Sequence, residues 1–144
     1  MSDLKIRGGK KLKGEITPAG NKNSVLPILC ATLLTNEPVT IRNFPELTDV
    51  VKLVELLESL GSKIEWNKED KILKIDNSGF CESFGEEGFP LGMRGALLLL
   101  APLMYRHKEL EIKEDIGGCS LGIREIDPHL DILKGLGADR KSVV

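Results

Sequence analysis

Histidine and cysteine are scarce in this sequence, which has two His and three Cys. The cysteines, Cys30, Cys81 and Cys119, are widely spaced and form no Cys-x-x-Cys pair. This pattern predicts neither a zinc site nor a disulfide framework, and it favours a reducing cytoplasm in which the thiols stay free. No metal and no cofactor are predicted.

Long apolar runs and a charge excess are also missing. The longest run, 96–105, has about ten residues, roughly half of the ~20 that span a bilayer, and predicts a buried helix. Residues 1–5 do not have the pattern of a signal peptide. The formal net charge is −2 and the Lys and Arg residues are scattered, unlike the basic stripe of a nucleic-acid-binding protein. We therefore expect a cytoplasmic globular protein without membrane or nucleic-acid partners.

A regular order of helices and strands follows residue 20. Asn21 or Asn23 can cap a helix from about Ser24 to Leu34, with Val25, Ile28 and Leu29 on one face. A strand at 39–41 and a second helix from Thr48 or Asp49 to Gly61 come next, the latter with apolar residues at helical spacing (Val50, Leu53, Val54 and Leu57). Residues 64–66 and 72–75 flank a polar turn and predict a β-hairpin.

The same order then begins again. A helix at 93–104 precedes a strand at 110–112 and an amphipathic helix carrying Ile126, Leu130 and Leu133. Leu136-Gly137-Ala138 matches Leu60-Gly61-Ser62, so the unit recurs after roughly 71 to 76 residues, which predicts stacked α/β units sharing a core. Before the first unit, residues 4–17 alternate loosely around Gly8-Gly9 and predict two short strands.

The second unit has a longer loop, which places Cys119 between glycines and ahead of Arg124 and Asp127. A free cysteine is usually a small buried hydrophobe. Here the polar and glycine neighbours argue against a core position, and a nearby arginine and helix start lower a thiol pKa or let the thiol act as an acid. Cys30, within an apolar helix, keeps the ordinary buried interpretation. The sequence has no nucleophile elbow, Walker loop or Rossmann fingerprint.

Several cations and polar residues mark helix starts. Arg124 is poorly placed at the positive end of a helix dipole unless an anion binds there, and Lys22-Asn23 repeats this arrangement in the first unit. Arg94 opens an apolar helix, where a helix-end charge and a binding role are about equally consistent with the pattern. Asp127 is well explained as a helix cap and His129 as a helix-surface residue.

Together these motifs resemble those of the enolpyruvyl transferases. The resemblance rests on Leu12-x-Gly14-Glu15-Ile16, on 20–24 followed by 26–29, on Met93-Arg94, and on 117–129. It covers essentially the whole chain, and the cysteine loop resembles that of the branch acting on UDP-N-acetylglucosamine, since the shikimate-pathway branch lacks this loop. The family usually has proline directly after the loop arginine, whereas Glu125 follows Arg124 here.

The resemblance implies transfer of enolpyruvyl from phosphoenolpyruvate to the 3-hydroxyl of UDP-N-acetylglucosamine in peptidoglycan synthesis, by addition and elimination. The residue matching Cys119 is the family's proton donor and fosfomycin target. Residues implied for phosphoenolpyruvate are Lys22, Asn23 and Arg124. Those implied for the nucleotide sugar are Asn23, Arg94, Arg124, Glu125, Ile126, Asp127 and Pro128.

The fold implied is an α/β fold of repeated βαβαββ units, of the inside-out barrel type. Family members are about three times this length, so the resemblance implies an incomplete domain: 1–18 as strands belonging to another domain and 19–144 as two repeats. We expect a fragment that does not turn over alone and self-associates through the surface of the missing repeat. The alternatives are a non-catalytic nucleotide-sugar-binding or interaction module and a shikimate-pathway enolpyruvyl transferase.

Overall fold

The computed structural model describes residues 4–81, 84, 94–107, 110 and 127–139. Within these ranges the chain forms α-helices, two 3-10 helices and one small antiparallel sheet. In chain order the elements are α1 (Lys22–Ala31), a 3-10 helix (Thr32–Leu34), β1 (Val39–Arg42), α2 (Thr48–Ser59), β2 (Lys63–Asn67), β3 (Ile72–Asp76), a 3-10 helix (Arg94–Leu99), α3 (Leu100–Arg106) and α4 (Asp127–Gly135). None of the described helices is both long and apolar enough to cross a membrane.

The three strands form a sheet in the order β1-β3-β2, with both pairs antiparallel. The predicted hairpin is confirmed, because β2 and β3 pair directly, with Trp66 opposite Leu73. Leu73 and Ile75 of the central strand are buried while Lys74 between them is exposed. This alternation follows from the period of two in a strand and turns one face of the sheet towards the helices.

Helix α1 lies against this core through Val25, Leu26, Leu29 and Cys30. The sequence correctly placed Val25 and Leu29 on the buried face. It was wrong about Ile28, which is half exposed, because the core contacts an arc of α1 shifted towards Leu26 and Cys30. The helical face is therefore set by what packs against it, as well as by the apolar spacing along it.

Helix α2 agrees with its prediction throughout. Its buried residues are the four predicted ones, Val50, Leu53, Val54 and Leu57. Gly61 follows the end of the helix, and its φ of 98° lies in the left-handed region that glycine tolerates. The amide of Gly61 donates to the carbonyl of Glu58 and that of Ser62 to the carbonyl of Leu57, which is the hydrogen-bond pattern of a Schellman cap.

The second unit packs on the first through residues 99–106. The predicted single helix at 93–104 is instead the 3-10 helix Arg94–Leu99 followed by α3, and Leu99 and Leu103 are fully buried in the shared core. Arg106 at the end of α3 joins the two units. It donates to the carbonyls of Leu33, Thr35 and Asn77 and to Oδ1 of Asn36.

Helix α4 repeats the ending of α2. Gly137 has the same φ of 98°, and the amides of Gly137 and Ala138 donate to the carbonyls of Lys134 and Leu133. The predicted match between the two glycines is thus confirmed in the geometry of the caps. Unlike α2, however, α4 has no buried residue. The predicted strand at 110–112 lies outside the described residues apart from Leu110, which packs against the core.

The two strands predicted within 4–17 are not formed. Residues 4–21 contain no helix or strand, and Leu4, Ile6, Leu12 and Ile16 are at least 79% exposed. A strand needs a neighbour to satisfy its backbone groups, and none of the described strands pairs with this segment. The assignment of 1–18 to another domain, the incomplete domain and the barrel arrangement of repeated units remain predictions.

Candidate functional site

Lys22 and Asn23 occupy the first turn of α1. Of the two predicted caps, Asn21 is the one that acts: its Oδ1 accepts from the backbone amides of Asn23 (2.8 Å) and Ser24 (3.3 Å). An asparagine at this position satisfies amides that have no partner within the helix. These two amides are therefore not free to bind an anion, and a ligand at the start of α1 would have to be held by side chains.

The loop before α1 is fixed by a close approach at Gly20. A Cβ at this position would lie 2.2 Å from the carbonyl oxygen of Asn43 and 2.8 Å from Cδ of Pro45, so only glycine fits. Asn43 itself has a φ of 55° and donates from Nδ2 to the carbonyl of Pro18 (3.3 Å). The loop leading into α1 is thereby held against the loop leading into α2.

This contact brings the starts of α1 and α2 together and pairs Lys22 with Asp49. The Nζ of Lys22 donates to Oδ2 of Asp49 at 2.8 Å, although the two residues are 27 positions apart in sequence. The side chains are 46% and 47% exposed, so the ion pair faces solvent. The ammonium is therefore partly exposed and is paired with a carboxylate.

The remaining predicted residues are described only in part. Asp127 and Pro128 form the first turn of α4 and are exposed, as is His129 behind them. Arg94 opens the 3-10 helix Arg94–Leu99. Predicted site residues that lie outside the described residues are Cys119, Arg124, Glu125 and Ile126. No hydrogen bond or ion pair among the described residues joins Asp127 to Lys22 or Asn23.

The two described cysteines are free thiols with different surroundings. Cys30 is buried in the core as predicted, and burial raises its pKa to about 12. Cys81 is half-buried beyond β3, and burial also raises its pKa. Both thiols are poorer nucleophiles at neutral pH than an ordinary cysteine, because the thiolate is the reactive form. Among the described residues no group of three His, Cys, Asp or Glu side chains is placed to hold a metal ion.

Sequence reasoning missed Asp49 as a component of this site. Its position in the first turn of a helix suggests only helix capping, and nothing local connects it to Lys22. The available signal was indirect: a glycine directly before a helix start marks a place where another backbone comes close. Arg106, which links the two units, was likewise not anticipated.

The chain matches known enolpyruvyl transferases in sequence and in fold. The sequence model of the EPSP synthase (3-phosphoshikimate 1-carboxyvinyltransferase) family matches residues 6–142. The chain therefore belongs to this family. It also aligns over 69% of its length with the enolpyruvyl transferase NikO from Streptomyces tendae, with a TM-score of 0.55 and 26% identity, covering 23% of that chain.

Three curated relatives that the chain matches carry the same enzyme name. A UDP-N-acetylglucosamine 1-carboxyvinyltransferase of Endomicrobium trichonymphae is 44% identical over 96% of this chain and 32% of its own length. Enzymes of the same name from Desulfatibacillum aliphaticivorans and Pelagibacter ubique are 42% and 38% identical, over 96% and 99% of this chain. The chain spans about a third of the length of these relatives: it covers 32% of the Desulfatibacillum aliphaticivorans enzyme and 34% of the Pelagibacter ubique enzyme.

Proposed function

We propose that the chain is part of a UDP-N-acetylglucosamine 1-carboxyvinyltransferase, which transfers enolpyruvyl from phosphoenolpyruvate to the 3-hydroxyl of UDP-N-acetylglucosamine and releases phosphate. The observation that carries the proposal is the 37–44% identity to five relatives of that name over 96–99% of the chain. The half-exposed ammonium of Lys22 supports it, since both substrates are anions.

The reaction proposed proceeds by addition and then elimination. The 3-hydroxyl gives its proton to a general base as its oxygen bonds to C2 of phosphoenolpyruvate, while C3 takes a proton from the Cys119 thiol. The C2–O bond to phosphate then breaks, and C3 loses a proton to restore the alkene. A positioned acid lowers the barrier of the first step, and cations on the phosphate stabilise the charge that develops in the second.

The binding roles follow the same proposal. Lys22, Asn23 and Arg124 hold phosphoenolpyruvate, and Asn23, Arg94 and residues 124–128 hold the nucleotide sugar. Because Asn21 already caps α1, the contribution of α1 to phosphoenolpyruvate binding comes from side chains. Since the chain spans about a third of its relatives, we propose that it supplies part of the site and does not turn over by itself, and that it acts in the cytoplasm in peptidoglycan synthesis.

Covalent labelling with fosfomycin tests this proposal. Attack of a thiolate opens the epoxide, forming a C–S bond and breaking a C–O bond, and adds the whole mass of the reagent to the chain. We expect one adduct at Cys119, formed faster with UDP-N-acetylglucosamine present, and none in Cys119→Ser. Cys30 and Cys81 serve as internal controls. Labelling at Cys81, or labelling at Cys119 that ignores the nucleotide sugar, would contradict the proposal.

A shikimate-pathway activity is the second candidate, because the matching family model carries the name of that enzyme. Equilibrium binding of 3-phosphoshikimate and of UDP-N-acetylglucosamine, each in the presence of phosphoenolpyruvate, distinguishes the two. We expect binding of the nucleotide sugar only. Preferential binding of 3-phosphoshikimate would assign the chain to the shikimate-pathway branch.

A further inference from the structure

We propose that Asp49 is a positioning residue, which holds the Lys22 ammonium where phosphoenolpyruvate binds. The inference rests on the proposed function, in which Lys22 binds that substrate. It adds to that function a residue on a different helix, which touches the lysine and not the substrate.

The geometry places the two residues at adjoining helix starts. Lys22 is the first residue of α1, and Asp49 lies in the first turn of α2. Their 2.8 Å ion pair depends on the contact between Gly20 and the Asn43–Pro45 loop, which holds the two starts together. The carboxylate is also favoured where it lies, because the N-terminal end of a helix dipole stabilises negative charge.

The chemistry of lysine makes such a partner useful. Its ammonium sits on a flexible four-carbon stem and has three N–H donors, of which Asp49 takes one. None of the described residues takes the other two donors, which can bind the phosphate or carboxylate of a ligand. A lysine already held in place loses less conformational freedom when an anion binds.

Asp49 is also a negative charge near an anion site, which opposes binding. Both side chains are nearly half exposed, however, so water and salt screen the repulsion between the carboxylate and the ligand. The amides of Asn23 and Ser24 are occupied by Asn21, so among the described groups of this helix start the Lys22 ammonium is the one placed to bind an anion. We infer that the gain from holding the ammonium outweighs the screened repulsion.

The test is calorimetric titration of the full chain with phosphoenolpyruvate in the presence of UDP-N-acetylglucosamine. We expect Asp49→Asn to weaken phosphoenolpyruvate binding about threefold to tenfold, and Asp49→Glu to restore part of it. Glu46→Gln is the matched control: it removes the same charge three residues away and breaks an ion pair with Lys68 whose side chains are 55% and 56% exposed. We expect this control to leave the affinity unchanged.

A readout on the lysine itself separates positioning from a general effect on folding. In 13C-labelled chains, we expect Asp49→Asn to increase the mobility of the Lys22 Cε by NMR relaxation, with the backbone amide spectrum preserved outside the starts of α1 and α2. Glu46→Gln should leave the Lys22 signal as it is. This measurement needs no ligand, and unchanged Lys22 mobility in Asp49→Asn would overturn the inference.

The Lys22→Gln variant distinguishes failure of this inference from failure of the proposed function. If Lys22→Gln abolishes phosphoenolpyruvate binding while Asp49→Asn leaves it equal or tighter, Lys22 binds the substrate and Asp49 does not position it. If Lys22→Gln has no effect, or the wild-type chain does not bind phosphoenolpyruvate, the role assigned to Lys22 is wrong and the inference falls with it.

Discussion

Helices α2 and α4 have the same ending and very different burial. Each ends in a Schellman cap on a glycine with a φ of 98°. Leu57 and Leu133 occupy the same position in the two caps, yet Leu57 is fully buried whereas α4 has no buried residue. The helix and its cap are set by local sequence, while burial depends on what packs against the helix.

The difference shows that a sequence repeat predicts the conformation of a helix end more reliably than it predicts the burial of the helix. A recurring Leu-Gly pair recurs because the chain geometry after a helix is the same in both units. A recurring apolar face indicates only that the helix is able to pack against a core. In the first unit this face meets the sheet and α1, and in α4 its Leu130 and Leu133 are half-buried.

The largest expected effect on the free energy of unfolding comes from truncating one of the two equivalent leucines, Leu57 and Leu133. Leu57→Ala should lower the free energy of unfolding by about 2–5 kcal/mol, because it leaves a cavity in a closed core. Leu133→Ala should cost about 1 kcal/mol or less, because its side chain is only half-buried. Equilibrium urea unfolding measures both. Equal losses would show that α4 is buried as deeply as α2.

The two cap glycines sharpen the same comparison. Gly137→Ala should cost about 1–2 kcal/mol from left-handed strain alone, because no atom of the described residues lies within 4 Å of the added Cβ. Gly61→Ala adds a Cβ 2.4 Å from the carbonyl oxygen of Gly79, so about 3 kcal/mol is expected. Urea unfolding again gives the values. A larger loss at Gly137 than at Gly61 would contradict this ranking.

A buried polar network in the first unit gives the next effect. Ser62 donates to Oδ1 of Asn77, whose Nδ2 donates to Oγ1 of Thr32, which donates to the carbonyl of Leu29. Thr32→Val should cost about 1–3 kcal/mol because it leaves the buried amide of Asn77 without this acceptor. Thr40→Val on the exposed face of β1 is the control, expected within about 0.5 kcal/mol.

The smallest effect is a pH dependence from Cys30. Burial raises its pKa from 9.0 to about 12, so the folded chain holds this proton more tightly than the unfolded chain. Its contribution to stability is complete below about pH 9 and is lost as the pH rises towards 12, by about 1 kcal/mol between pH 9 and 10. Cys30→Ala should lack this loss when unfolding is measured against pH. Parallel pH curves for the two chains would contradict it.

Much of the fold could be predicted because its signals are local. The buried face of α2, the hairpin of β2 and β3 and the Gly61 cap each depend on residues a few positions apart. The prediction of strands within 4–17 was wrong because a strand depends on a distant pairing partner, which local sequence does not reveal. The prediction that Ile28 lies on the buried face was wrong because the core contacts only part of the apolar arc of α1.

The position of Lys22 and Asn23 at a helix start could be predicted from the sequence, whereas the contact made by Lys22 could not. Lys22 and Asn23 lie at a helix start, as expected from the glycine and asparagine before them. The partner of Lys22 was not foreseen, because its 27-residue separation has no periodic signature. The roles assigned to Cys119 and Arg124 remain predictions.

The most direct test of the central claim is a 15N-edited NMR titration of the chain with UDP-N-acetylglucosamine and phosphoenolpyruvate. If the starts of α1 and α4 contribute to one site, the amides of Lys22, Asn23, Asp127 and His129 shift together, and those of Trp66 and Leu73 in the sheet stay in place. Shifts confined to the sheet, or at only one of the two helix starts, would contradict a site shared by the two units.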